Sequence, residues 1–169
     1  MRGGLLLILV TLQRGAELLW AGHNEQVLRA RGGVEIGAKH YPLILGLHIS
    51  WLAWLWLQGW GRPLAWPWVM AFVVLQGARI WVLMTLGRRW TTRVLIVPGE
   101  VLSTTGPYRF FRHPNYAVVA LEVPVLAMAF GLWGAAICFG LANLIVLAWR
   151  IHVEERALLP LRAHSPLGA

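Results

Sequence analysis

Five stretches of apolar sequence, each near the length that crosses a bilayer, constrain this chain more than any other feature. About 20 residues are needed to span the hydrocarbon core. The stretches run from about Gly3 to Trp20, Tyr41 to Trp60, Trp66 to Leu86, Tyr116 to Leu132 and Trp133 to Trp149. The last two are short and meet at a tight Gly131–Gly134 turn, so they read as a helical hairpin. Trp20, Trp51, Trp60, Trp66, Trp68, Trp133 and Trp149 fall at or near the ends, where aromatic belts sit. With glycine counted, about two thirds of the chain is apolar, against roughly 45–50% in soluble domains, and only 13% is charged. The expectation is a single all-α integral membrane domain over 1–169, with a three-span region (1–86) followed by a loop, hairpin and helix extension (87–169).

The charges give an orientation. Arg29, Arg31 and Lys39 lie between the first two spans, and Arg88, Arg89, Arg93, Arg109 and Arg112 between the third and fourth. Arg150, Arg156 and Arg162 follow the fifth, while only Arg2 and Arg62 lie on the alternate side. That asymmetry places both long loops and the C-terminus in the cytoplasm of a bacterial-type inner membrane, with the N-terminus outside. The net charge of +8 therefore points to lipid headgroups and insertion rather than to nucleic acid. The first segment also has the outline of a signal peptide, but it lacks a small-x-small cleavage site. Arg14 and Glu17, three residues apart on one helix face, favour a retained helix packed in a bundle.

Polar sequence concentrates at one rim. The loop Gly87–Asn115 is too polar to span and too long for a simple connector. Thr91–Val97 reads as a short interfacial segment, and Pro98-Gly99 and Gly106-Pro107 as turns. Pro114 suits the first turn of the fourth helix, which puts His113 at its N-terminus at the membrane surface. Beyond the fifth span, Arg150 and Glu154 share a stripe with Asn143 while His152 points away. Because a hairpin brings its ends together, His113 and the Arg150/Glu154 stripe are expected to be neighbours. Each residue also has a plainer reading. Arg109, Arg112, Arg150 and Arg156 serve as positive-inside anchors, and Glu154 and Glu155 as an exposed helix end. Glu122 and Asn143 serve as interhelical hydrogen-bond partners, and His48 as a packed histidine.

Signatures of soluble enzymes are missing: no G-x-G-x-x-G, P-loop, H-E-x-x-H or G-x-S-x-G is present. The six histidines show no zinc-ligand spacing, so no metal is expected. The runs Gly106-Pro107-Tyr108-Arg109-Phe110-Phe111-Arg112-His113-Pro114-Asn115-Tyr116 and Arg150-Ile151-His152-Val153-Glu154-Glu155 carry a resemblance instead. Together they resemble the isoprenylcysteine carboxyl methyltransferase family, whose G-x-Y-x-x-x-R-H-P-x-Y and R-x-x-x-E-E patterns they match. Upstream, Arg31-Gly32-Gly33-Val34-Glu35 and His40-Tyr41-Pro42 look like the bacterial branch that includes alkylpyrone O-methyltransferases.

The resemblance implies S-adenosyl-L-methionine bound on the cytoplasmic side, by Tyr108, His113, Pro114, Asn115, Tyr116 and Glu154. It also implies contacts from the stretch Glu100, Val101, Leu102 and Ser103, where many relatives carry histidine in place of Glu100. Arg150, as substrate-binding and catalytic residue, then faces a lipophilic small-molecule or prenylated acceptor that presents a carboxylate or acidic hydroxyl, and Glu154 has the second catalytic role. Two other classes compete. A small transporter or channel calls for mid-span polar residues and inverted repeats. A non-catalytic membrane scaffold would keep the fold without binding the donor.

Overall fold

A computed structural model describes residues 2–38, 41–99 and 103–163, with side chains through 158. Five helices carry the chain: α1 (Arg2–Ala30), α2 (Tyr41–Gly59), α3 (Trp66–Leu86), α4 (Pro114–Ala129) and α5 (Trp133–Ala163). The segments Arg2–Ala30, Trp66–Arg89 and Trp133–Leu158 are long and apolar enough to cross a membrane, and Pro114–Ala129 is a shorter apolar helix. The 19 residues of α2 rise about 28 Å. The all-α membrane architecture expected from the sequence is present, and α4 and α5 form the hairpin. Gly131, at φ +69°, makes its turn, and the Leu132 amide closes it on the Ala127 carbonyl at 3.0 Å.

The core joins all five helices. Leu7, Val10, Trp51, Leu55, Phe72, Leu126 and Phe130 are buried in one cluster. Trp51 is only 2% exposed, which corrects its expected place in an interfacial belt: it lies in the middle of α2 and packs inward. Trp20, Trp60, Trp66, Trp133 and Trp149 are exposed as a belt requires, and Trp68 meets Trp133 edge-on at 5.7 Å. A Cβ on Gly59 would come within 3.0 Å of the Phe130 ring, so a small residue there lets the end of α2 approach the turn after α4.

In mid-bundle, α1, α3 and α4 bury a charge network. Arg79 donates from Nε and Nη2 to both oxygens of Glu17 at 2.7 and 2.6 Å, and from Nη1 to Glu122 at 2.8 Å. Arg14 bridges the same carboxylates at 2.9 and 3.0 Å, and Gln76 donates to Glu122 at 2.7 Å. Two guanidinium groups against two carboxylates leave the network neutral, which the apolar surroundings require. The expected Arg14–Glu17 pair and the interhelical role of Glu122 are both present. Asn143 likewise donates to the Val119 carbonyl at 3.1 Å, and His48 is packed with Nδ1 at 2.9 Å from the Ile44 carbonyl.

Two features lie beyond the sequence expectations. First, α1 does not stop near Trp20 but continues to Ala30, supported by the i,i+4 pair of Glu25 and Arg29 at 2.8 Å. The helix ends where Gly32 takes φ +84° and the Gly33 amide turns back to the Leu28 carbonyl at 2.9 Å. Second, the segment expected to lie along the interface contains a strand. β1 (Val34–Ile36) pairs antiparallel with β2 (Val94–Ile96), Glu35 opposite Leu95. Arg93 donates to Glu35 at 2.6 Å and Arg29 also pairs with it. Partial burial pushes the Glu35 carboxyl up, but the two guanidiniums outweigh it and hold the group below the usual carboxylate range. With Asn24 donating to the carbonyls of Gly87 and Trp90 at 3.2 and 2.8 Å, this clasp fixes the start of the long loop against α1.

Candidate active site

The site forms where α4 begins and α5 leaves the bundle. Pro114, at the first helical position, has no amide proton to lose, and its ring keeps His113 out of the helical conformation, at φ −132° and ψ 61°. The carbonyl of His113 accepts from the Tyr116 and Ala117 amides at 3.1 and 3.2 Å, so the helix start itself fixes the residue. Its side chain crosses to α5, with Nε2 at 2.6 Å from Glu155 Oε1, and its ring stacks on Tyr116 at 5.5 Å. Tyr116 donates its hydroxyl hydrogen to Glu154 Oε2 and accepts from Arg150 Nε at 2.9 Å. Arg150 in turn donates from Nη2 to the Thr92 carbonyl at 2.5 Å, tying the helix to the loop just before β2.

Tyr108 sits on a 3-10 turn over Gly106–Arg109, ahead of α4. Burial pushes its phenol well above the usual range and the nearby Glu154 carboxylate adds to this, so the group stays a neutral hydroxyl. Gly106 brings this turn against α3: it has φ +57°, and a Cβ there would lie 2.4 Å from Thr85 Oγ1. Gly106→Ala is therefore expected to cost about 1–3 kcal/mol from backbone conformation alone, with the steric clash added. Thermal unfolding in detergent checks this, and Thr85→Ala in the same chain should recover only the steric part.

The structure thus brings together Tyr108, His113, Tyr116, Arg150 and Glu154, with Pro114 as the helix start. Asn115 adjoins them, and its Oδ1 is buried without a hydrogen-bond partner among the described residues. Ser103 is half-buried just before the turn, and Glu100, Val101 and Leu102 lie outside the described residues. Arg109, Arg112, His152 and Arg156 are exposed, as anchors and an outward face should be. The sequence offered no means to see Thr92 in the site, since it contributes a backbone carbonyl. Glu155 was legible only as half of a Glu-Glu pair; its partnership with His113 comes from the hairpin's closure.

Arg150 and Tyr116 line one end of a cavity of about 180 Å³. The cavity is apolar along α2, and at its other end it meets Arg14, Glu17 and Arg79 of the buried network. Arg150 is 8% exposed, and among the described residues no carboxylate forms an ion pair with it. A buried cation without its own counter-ion is costly and is suited to an incoming anion.

An apolar helical bundle with a polar site at the junction of a helix start and a helix exit defines an integral membrane protein. The profile of the isoprenylcysteine carboxyl methyltransferase family matches residues 68–160, which include both halves of this site. The uncharacterized protein YpbQ of Bacillus subtilis (strain 168) is 38% identical over 160 residues, covering 91% of this chain and 95% of YpbQ. No solved structure matches the chain. The chain belongs to the isoprenylcysteine carboxyl methyltransferase family and is a membrane methyltransferase.

Proposed function

We propose that the protein transfers a methyl group from S-adenosyl-L-methionine to an oxygen of a lipophilic acceptor, either a carboxylate or an acidic hydroxyl. The observation that carries this reading is Arg150, a buried cation with no carboxylate ion-pair partner among the described residues, which lines an apolar cavity beside Tyr116 and Asn115. Prenylated acceptors and small molecules of the alkylpyrone type both fit that description. The charge asymmetry supports a polar site at the cytoplasmic surface, with the N-terminus outside.

S-adenosyl-L-methionine supplies an electrophilic methyl group on a sulfonium that carries its own leaving group. The residues present fit it. Asn115 Oδ1, a buried acceptor without a donor, suits an ammonium or amino group. Glu154 uses Oε2 for Tyr116, which leaves Oε1 for a cation or a ribose hydroxyl. The rings of His113 and Tyr116, stacked on each other, and the half-buried Tyr108 would wall the donor. Arg150 is fixed by Tyr116 and Thr92 through Nε and Nη2, so Nη1 is the edge that would meet the acceptor anion by a charge-assisted hydrogen bond. A carboxylate or acidic enol is already an anion near neutral pH, so the chain need supply no strong base. Its work is to orient the oxygen and exclude water.

Incubation of the detergent-solubilised protein with methyl-labelled donor and a membrane lipid extract tests the reaction. Label should enter the organic phase, released by alkali as methanol if the product is an ester and retained if it is an enol ether. No transfer into any lipid fraction would count against the reading. His113→Ala and Glu154→Ala should each weaken donor binding about 10- to 100-fold, the range for a lost hydrogen bond to a charged group. Unchanged donor affinity in both variants, measured calorimetrically, would sink the residue assignment.

A further inference from the structure

The cavity has two unlike ends. Along α2, Ile44, Leu45, Ile49 and Leu52 give it an apolar wall, but its inner end is formed by Arg14, Glu17, Arg79 and His48. A plain hydrocarbon tail laid against that end would cover polar groups without bonding to them, which costs free energy. Two atoms there have hydrogen-bonding capacity to spare. Arg14 Nε is buried and has no partner among the described residues, although the same guanidinium donates from Nη1 and Nη2 to Glu17 and Glu122. His48 Nδ1 faces the Ile44 carbonyl, which only accepts, so in the neutral ring Nδ1 carries the proton and Nε2 keeps its lone pair. A hydroxyl offers one donor and two lone pairs, and complements this surrounding.

The spacing limits what can reach both ends. Tyr116 marks the Arg150 end, and Glu122, which holds Arg14 and Arg79, lies six residues further along α4. That separation is about 9 Å along the helix axis. We propose that the inner end binds a hydroxyl group at the far end of the acceptor, which is therefore a short amphiphile polar at both ends rather than one with a plain hydrocarbon tail. The proposal rests on the reading of Arg150 as the anchor for the acceptor's anion, and it makes His48 a specificity-determining residue.

Octanoate and 8-hydroxyoctanoate test it. Each is titrated into the full-length protein in detergent and followed through tryptophan fluorescence, since Trp51 and Trp90 line the cavity. Partition into micelles favours octanoate, so a preference for the hydroxy acid is read against that bias. The hydroxy acid should bind about fivefold more tightly, the worth of one net hydrogen bond. His48→Phe keeps an aromatic ring and should abolish the preference, His48→Gln keeps an acceptor and should retain most of it, and Arg150→Gln should weaken both acids alike. Equal or tighter binding of octanoate, a preference that survives His48→Phe, or no binding of either acid overturns the proposal. Donor binding, measured separately, distinguishes the failures. Intact donor affinity without the preference defeats only this inference, and the preference without donor affinity defeats only the methyltransferase reading.

Discussion

Arg150→Lys is expected to retain donor binding and to lose turnover by about 2–4 kcal/mol of transition-state stabilisation, the scale for removing one positioned donor. Charge is conserved in this change, but geometry is not. The guanidinium holds Tyr116 through Nε and the Thr92 carbonyl through Nη2, with a third edge left toward the cavity. A lysine ammonium has three protons on a single point and a flexible stem, so it cannot keep both holding bonds and still present a donor in the same direction. Donor-binding calorimetry together with single-turnover methyl transfer separates the two effects. A wild-type rate in Arg150→Lys would mean that the residue only braces α5 against Tyr116 and the Thr92 carbonyl and does not position the acceptor.

The largest stability effect should come from Glu122→Ala, at about 3–5 kcal/mol, because removing one member of a buried ion network strands the others. Glu122 is 1% exposed and accepts from Arg14, Arg79 and Gln76. Without it, two guanidiniums share the single carboxylate of Glu17 inside the bundle. Asn143→Ala is the internal control. That residue is equally buried but loses only a neutral bond to the Val119 carbonyl, a class worth about 0.6–1.7 kcal/mol within membranes. Unfolding in mixed detergent and dodecyl sulfate should rank the two in that order. Comparable, small losses would show that water or lipid headgroups reach the network.

The parts of this protein legible in its sequence are those set by local chemistry. Apolar length located the helices, Pro114 fixed the start of α4 at His113, and the short Gly131 connection forced α4 and α5 together. From that closure alone the neighbourhood of His113, Arg150 and Glu154 followed. What escaped depends on contacts between distant segments. Arg79, a lone arginine inside an apolar stretch, has no visible partner until α1 and α4 bring Glu17 and Glu122 beside it. The three-residue strands β1 and β2 are too short to show a period, and their pairing spans the whole of α2 and α3. Trp51 resembles its interfacial neighbours in sequence, and only helix rotation decides that it faces the core. Thr92 enters the site by its backbone, to which side-chain identity gives no clue.

The cluster around Glu154 and His113 is proposed to hold the methyl donor. Isothermal titration of S-adenosyl-L-methionine into the detergent-solubilised protein, with Glu154→Ala titrated alongside, tests it most directly. The expected result is saturable one-site binding to the wild-type protein, weakened at least about tenfold in the variant while its thermal unfolding is preserved. The absence of saturable binding to folded wild-type protein, or equal affinity in the two, would contradict it.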